Sequence, residues 1–310
     1  MPPAIVNPSA IKDIVLGTCL CILTFAVSYT FPLLGVFALL LLPLPVLYFR
    51  LKLGRNSGSI IAVTSFLVLL VMSRGIAFDT LYFGALLMTG LFLGECIEQQ
   101  CSIEKTMIFS VTGVLALSLA AFGVYAAFQE QGIGKMVQDY ISQYLELTSE
   151  LYTDMGIEKQ QIDALNAAFV VVMPGMFIVS YMTTVWLNVL IIKRLLARIG
   201  IQLKSMAALN RFRAPDSLVW AVIGLGVLMV LPVGPVKYVV INCLIILLLI
   251  YFFQGIAVIS FYFQQKESPT FLKVFCYGLI AVQIYFLILV IGLGFFDNWI
   301  NFRKLETQKK

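Results

Sequence analysis

Residues 237–263 read KYVVINCLIILLLIYFFQGIAVISFYF, an apolar run whose only charge stands at its first position. A helix needs about 20 apolar residues to cross a hydrocarbon core that is about 30 Å thick, and this run is longer than that. Backbone groups in lipid must form their hydrogen bonds inside their own segment, so the run is predicted to be a helix. Blocks of similar length recur along the chain and predict a polytopic membrane protein.

The composition agrees with this class. The chain has 310 residues, of which 61% are hydrophobic and 12% are charged, whereas about a quarter of the residues of a soluble domain are charged. The apolar blocks occupy most of the length, so residues 1–310 are predicted to form a single integral membrane domain. Asp13 precedes the first apolar core and no small-x-small cleavage site follows, so the first block is expected to be retained as a helix.

We predict an all-α transmembrane helical bundle of eight or nine spans. The proline of Phe31-Pro32 separates the first two blocks, because proline breaks or kinks a helix. Gly90 and Gly94 form a GxxxG pattern, which is typical of close helix packing. The predicted spans are 11–31, 32–49, 59–73, 76–94, 107–128, 165–192, 217–236, 237–263 and 271–296.

The charges of the loops predict the orientation. Short loops rich in lysine and arginine stay in the cytoplasm. Segments 50–58 and 193–216 are basic, and we assign 193–216 as a basic cytoplasmic loop. Four predicted spans separate the two segments, so both can face the same side, and the acidic loop 129–164 then lies outside. The chain is predicted to cross its membrane several times.

The basic C-terminal tail does not fit nine spans with a cytoplasmic N-terminus. The tail carries Arg303, Lys304, Lys309 and Lys310, yet that count places it outside. Three explanations stay open at this point. The block 271–296 does not cross the membrane, or the weakly charged N-terminus lies outside and one early block is miscounted, or the charges of the tail are too weak to set its side.

The outer loop 129–164 contains a helical pattern. Between residues 136 and 155, apolar side chains recur at three- and four-residue spacing with acids and glutamines between them. This spacing predicts an amphipathic extracytoplasmic helix over about 135–156. The helix either lies passively on the membrane surface or covers the bundle as a lid.

Four polar residues are candidates for binding a substrate. Charged side chains near the membrane are costly and therefore suggest function. Arg74 and Asp79 can pair across a turn or simply anchor the ends of their helices. Lys237 can meet an anionic substrate or extend to the lipid headgroups. Asn166 lies at the start of the sixth span, and these residues are predicted to line one site under the helix 135–156.

The sixth span contains a helix kink at Pro174-Gly175. Broken helices line binding sites in many transporters, although proline and glycine are also common in membrane helices without such a role. In later spans, Asn242, Gln254 and Gln283 are predicted to form hydrogen bonds between helices.

Motifs for chemistry are missing from the sequence. The chain has no histidine, and its six cysteines form no CxxC pair, so neither a metal nor another cofactor is expected. Walker A, GxSxG and HExxH motifs are absent. The protein is therefore predicted not to be an enzyme, and its basic residues give no reason to expect binding to nucleic acid.

Several motifs, taken in order, resemble the YybS-like family of bacterial membrane proteins, a family of unknown function. The early motif is Pro43-Leu-Pro45 with Arg50. Three others lie in the middle of the chain and two near its end. The middle motifs are Pro174-Gly175, Asn188 with Lys193-Arg194-Leu-Leu, and Phe212-Arg213-Ala-Pro215; the late ones are Gln254-Gly-Ile-Ala-Val258 and Gly294-Phe-Phe-Asp297-Asn-Trp-Ile-Asn-Phe-Arg303-Lys304-Leu.

That family is distantly similar to the substrate-binding S components of energy-coupling factor transporters. The resemblance implies capture of a small solute from outside, with a membrane T subunit and two ATPases as partners. S components usually have six spans and carry an Ala-x-x-x-Ala face on the first helix, whereas the first span here reads Gly17-Thr-Cys19-Leu-Cys21. We therefore expect a transporter-like protein that binds a small solute without its own ATPase. The alternative is a membrane scaffold that recruits a partner through loop 193–216.

Overall fold

A computed structural model describes most of the chain as helix, which confirms the all-α prediction. Residues outside the following ranges are not described. The described residues are 8–73, 75, 78–128, 133–201, 209–232 and 234–303. The helices are α1 (Pro8–Thr30), α2 (Pro32–Leu41), α3 (Pro43–Leu53), α4 (Arg55–Met72), α5 (Phe78–Glu98), α6 (Ile103–Phe128), α7 (Ile133–Asp154), α8 (Lys159–Arg198), α9 (Ser217–Val230), α10 (Val236–Gln265), α11 (Thr270–Val282) and α12 (Ile284–Ile300).

The chain divides into two compact units. The first unit consists of Met1–Leu147 and Ser180–Met206, and the second of Thr148–Val179 and Ala207–Lys310. The 40-residue helix α8 contributes its first part to the second unit and its last part to the first. Many large apolar side chains on the helices are exposed, such as Val71, Phe271 and Tyr285, and such surfaces are suited to contact with lipid.

The described residues contain seven helices that are long and apolar enough to span a membrane, or eight if α11 and α12 count as one span. Two of the predicted spans take a different form. The segment 217–236 forms α9, which has 14 residues and is about 21 Å long at 1.5 Å per residue. It ends before Pro232, which cannot continue a helix. The segment 271–296 bends by 105° between α11 and α12.

Both of the long predicted loops contain helix. The amphipathic helix predicted over 135–156 is present as α7, while its side of the membrane stays a prediction. The predicted loop 193–216 begins inside α8, which runs on to Arg198. Basic residues are favourable in the last turn of a helix because they face the negative end of its dipole. The non-helical part of this segment is therefore shorter than the charge pattern indicated.

In the second unit, the end of α10 and the C-terminal residues lie at the same end. Asn210 Nδ2 donates to Gln264 Oε1 at 2.6 Å, and Arg303 Nη1 donates to the Asn210 carbonyl at 2.8 Å. The Tyr262 hydroxyl donates to the Phe302 carbonyl at 2.8 Å. Helix α11 starts beside the end of α10, since the Phe263 and Tyr277 rings lie 5.8 Å apart.

The bend between α11 and α12 therefore returns the chain to the end of the unit from which it came. Among the three explanations for the basic tail, this geometry favours the one in which the block 271–296 does not cross.

Cysteine labelling tests this arrangement. In a cysteine-free background, Gln265→Cys and Thr307→Cys are expected to react with a membrane-impermeant maleimide from the same side of the membrane. Leu231→Cys, at the other end of α10, is the control and is expected to react from the opposite side. Labelling of Gln265→Cys and Thr307→Cys from opposite sides would show that the last block crosses.

Candidate functional site

Two glycines bring α10 and α12 into backbone contact. A Cβ atom on Gly255 would collide with the Val290 carbonyl oxygen, and one on Gly294 would collide with the Tyr251 carbonyl oxygen. Small residues allow such close approach between membrane helices. The contact places the polar side chains that flank these glycines against each other inside the second unit.

Gln254 is at the centre of the resulting network. Its side chain is fully buried. Gln254 Oε1 accepts from the Ala214 backbone N–H at 2.9 Å, and Nε2 donates to Asn298 Oδ1 at 2.7 Å and to Asp297 Oδ2 at 3.2 Å. The prediction that Gln254 forms a hydrogen bond between helices is confirmed.

A buried ion pair completes the network. Arg303 Nη2 lies 2.7 Å from Asp297 Oδ2, and both residues are 2% exposed. The pair forms because Asn301, at φ 46°, ends α12 in the left-handed conformation, which asparagine tolerates at helix ends. The chain then turns back and carries Arg303 towards its own helix.

The network has hydrogen-bonding capacity that the described residues do not use. Within that part of the chain, four of its buried atoms have no partner: Asp297 Oδ1, Asn298 Nδ2, Arg303 Nε and the Tyr251 hydroxyl. Buried polar atoms are nearly always bonded to protein or to ordered water. One strong acceptor and several donors are thus available for water or for a small polar molecule.

Non-helical backbone enters the unit at this point. The residues Phe212 to Pro215 are not helical, and Ala214 is buried beside Gln254. Gln254 lies more than two turns before the end of α10, so this backbone is about 15 Å inside that end. The non-helical segment thus places a backbone N–H group against the buried side chain of Gln254.

The comparisons with known proteins are informative about the family alone. Residues 19–298 match the model of a family described as "Predicted membrane protein (DUF2232)". The chain belongs to the DUF2232 family. No curated protein and no solved structure matches it. Membership of this family makes it a membrane protein of unknown function, and the similarity to YybS-like proteins and S components stays a proposal.

A second charged cluster lies in the first unit of this DUF2232 protein. Arg50 is 3% exposed in α3. Its Nε donates to Glu98 at 3.0 Å, its Nη2 to Glu98 at 2.8 Å and to Glu95 at 2.6 Å, and its Nη1 to the Leu91 carbonyl at 3.0 Å. Arg50 was counted among the loop charges in the sequence, but it is buried between helices because two carboxylates neutralise it.

Glycines make room for this arginine. A Cβ on Gly94 would collide with the Arg50 side chain, and one on Gly90 would lie 2.7 Å from the Pro43 carbonyl oxygen. The close packing indicated by the GxxxG pattern is therefore confirmed. Next to the cluster, a pocket of about 460 Å³ lies between α5 and α6. It is lined by Phe92, Glu95, Cys96, Gln99, Cys101, Phe109, Thr112 and Gly113.

Asn242 of α10 bonds the backbone of α8 at Pro174-Gly175, where the sequence predicts a kink. Gly175 N–H donates to Asn242 Oδ1 at 2.5 Å, and Asn242 Nδ2 donates to the Val171 carbonyl at 2.7 Å. In a regular helix Gly175 N–H would donate to the Val171 carbonyl, and the Asn242 amide bonds both of these groups. The predicted interhelical role of Asn242 is confirmed, whereas the kink stays a prediction, since α8 continues through Pro174.

Asn188 performs a similar function in the first unit. It is fully buried, and its Nδ2 donates to the Leu40 carbonyl at 2.7 Å, close to the break between α2 and α3. Proline cannot donate a hydrogen bond, so carbonyls near Pro43 and Pro45 need other partners. In both units, an amide side chain satisfies backbone groups next to a proline.

Replacement of Asn242 by leucine is expected to lower the free energy of unfolding by about 1–2 kcal/mol, because it leaves buried backbone groups without partners. The measurement is the midpoint of unfolding in SDS titrations of the purified protein. Asn166→Leu is the control, since within the described residues Asn166 Nδ2 donates to Ser149 Oγ alone, at 3.1 Å, and a smaller shift is expected. Equal shifts would mean that, without the Asn242 amide, Gly175 N–H bonds the Val171 carbonyl within α8.

Three of the four sequence-predicted site residues are described by the structure. Asp79 is exposed in the first turn of α5, and Arg74 lies outside the described residues. Asn166 connects α8 to α7, whereas Lys237 is partly covered in the first turn of α10. Asn166 and Lys237, which are both described, form no hydrogen bond with each other. Their role in binding stays a prediction.

Sequence reasoning did not select Asp297, Asn298 and Arg303 as site residues. They were noticed in the terminal motif, and Arg303 was interpreted as a charge of the tail. A usable signal was present: Asp297 is an acid at the end of an apolar block, and a carboxylate there requires a cation. Arg303 follows it within six residues.

Proposed function

We propose that this protein is a transporter-like membrane protein that binds a small polar solute at the Gln254–Asp297–Arg303 network and has no ATPase of its own. The observation that carries the proposal is the set of unused buried atoms around Asp297. An ionised carboxylate oxygen together with guanidinium and amide N–H groups suits a solute that both donates and accepts hydrogen bonds. The membrane we propose is the bacterial cytoplasmic membrane.

The buried ion pair alone does not distinguish a binding site from a structural network, which we call a brace. A brace is most stable when every polar atom is bonded, since a half-satisfied network is worse than an apolar core. A binding site instead keeps donors and acceptors available and offers them in low dielectric, where hydrogen bonds are stronger. The unused atoms and the non-helical backbone at Ala214 therefore support binding.

The test is recovery of a bound solute from native membranes. We expect the wild-type protein, purified in mild detergent, to release a small polar compound in stoichiometric amount, detected by mass spectrometry. Gln254→Leu removes the central amide and is expected to abolish recovery. Gln283→Leu is the matched control, because Gln283 is exposed at the break between α11 and α12; its recovery should equal that of the wild type.

The same preparation tests the rival function. Co-purified ATPases and a T-like subunit would identify the partners of a transporter. Recovery of other proteins with no bound compound would contradict the proposal and favour the scaffold that binds through 193–216. An equal amount of compound from wild type and Gln254→Leu would place the binding elsewhere in the chain.

A further inference from the structure

A second cavity in the second unit has a different chemical character. It has a volume of about 450 Å³ and lies in the angle that α11 and α12 form against α10. All its lining residues are apolar: Ile259, Phe263, Cys276, Leu279, Ile280, Phe286, Leu289, Val290 and Leu293. The volume is within the range of about 300–1,000 Å³ typical of small-ligand pockets.

The surroundings of the cavity are apolar as well. On α11 and α12, Phe275 is 54% exposed and Leu289 is 66% exposed. The cavity therefore opens to a surface suited to lipid rather than to water. A polar solute would leave its donors and acceptors unpaired there, which is costly, whereas a hydrocarbon chain would lose nothing.

Cations mark one end of this cavity. Lys266 follows Phe263 by three residues at the end of α10, and Lys273 precedes Cys276 by three residues in α11. Residues at this spacing lie on the same side of a helix. Glu267 is the acid in the same turn.

We propose that this cavity binds one acyl chain of an anionic phospholipid, with the phosphate of the headgroup at Lys266 and Lys273. Basic residues at the end of an apolar cleft between helices match the charge of such a lipid on its headgroup side and its hydrocarbon on the other. The 105° bend at Gln283 sets α11 at an angle to α12, and both helices line the cleft together with α10. We assign the bend the role of shaping this cleft.

Native mass spectrometry of the full chain tests the proposal with two lipids that differ only in headgroup. Dioleoyl-phosphatidylglycerol is expected to stay bound at concentrations where dioleoyl-phosphatidylcholine does not. Lys266→Gln with Lys273→Gln should weaken the phosphatidylglycerol complex about tenfold or more, since each lysine near a membrane surface contributes roughly fivefold. Lys159→Gln, far along the sequence from the cavity, is the control and should change nothing.

Variants that fill the cavity test whether the acyl chain of the lipid lies in it. Cys276→Trp fills the cavity and is expected to reduce retention of phosphatidylglycerol, whereas Val274→Trp, on an exposed position of the same helix, should leave it unchanged. Equal retention of both lipids, or no effect of the lysine variants, would overturn the proposal. Loss with the lysine variants but not with Cys276→Trp would overturn the assignment of the cavity.

The unmodified protein gives an independent measurement. Cys276 and Cys243 are both partly buried, but only Cys276 lines the cavity. In nanodiscs, alkylation of Cys276 by N-ethylmaleimide should be slower with phosphatidylglycerol than with phosphatidylcholine, while alkylation of Cys243 proceeds at one rate. Equal rates at Cys276 in the two lipids would contradict binding.

Discussion

Replacement of Asp297 by leucine is expected to lower the free energy of unfolding by about 3–5 kcal/mol, because it leaves the Arg303 guanidinium buried without a carboxylate. The variant also removes an acceptor of Gln254 Nε2. No described acid other than Asp297 pairs with Arg303. The shift of the SDS unfolding midpoint measures the effect, and it should be the largest among single side-chain truncations in the second unit.

The double variant Asp297→Leu with Arg303→Leu separates charge from packing. Removal of both charges takes away the uncompensated cation, and replacement of buried ion pairs by apolar residues is often neutral or stabilising. We therefore expect the double variant to regain most of the stability that Asp297→Leu loses. A double variant as unstable as the single one would mean that the polar atoms themselves hold α10, α12 and the segment 212–216 together.

The binding proposal adds a second expectation for the same pair. A brace and a binding site differ in what the double variant does to the solute. The double variant should fold but recover no polar compound from the membrane, since the acceptor and the donors at Asp297 and Arg303 are gone. A double variant that is stable and still carries the compound would show that the solute does not bind at Asp297 and Arg303. The ion pair of the wild type would then have a structural role alone.

The helices of this protein could be predicted because lipid leaves the backbone no alternative. Apolar length alone located α5, α6 and α10 to within a few residues, and α7 followed from its spacing. The bend of the last block could not be read in this way. Helix α12 packs against α10 through Gly294 and Gly255, and glycines in an apolar run predict close contact without identifying the helix that is contacted.

The sequence predicts that polar side chains of the network bond other helices, but it does not predict which groups they bond. Asn242 and Gln254 were expected to bond other helices, because amides in lipid need partners, and they do. Which backbone group each one meets depends on how neighbouring helices are rotated, which a single sequence does not encode. Arg303 is an example. In the sequence it is one of the charges of the tail, and it pairs with Asp297 because the left-handed residue Asn301 turns the chain back.

The Arg50 cluster leads to the second large effect. Arg50→Leu is expected to lower the free energy of unfolding by about 3 kcal/mol, since it removes four charge-assisted bonds and leaves Glu98 without a cation. We expect less than for Asp297→Leu, because the Glu95 and Glu98 side chains are 32% and 35% exposed and solvent screens them. Arg50→Lys should recover only part of the loss, because lysine lacks the planar fork that bonds both carboxylates.

Arg55 provides the control for this cluster. Its side chain is 69% exposed and reaches Glu95 at 3.2 Å, so Arg55→Leu removes one screened pair and should shift the unfolding midpoint far less than Arg50→Leu. Equal shifts for the two arginines would mean that burial of the guanidinium against Gly94 contributes nothing, and that the carboxylates need only a nearby positive charge. A large loss confined to Arg50 would instead identify α3 and α5 as helices joined through one side chain. The GxxxG pattern would then serve to admit an arginine between them.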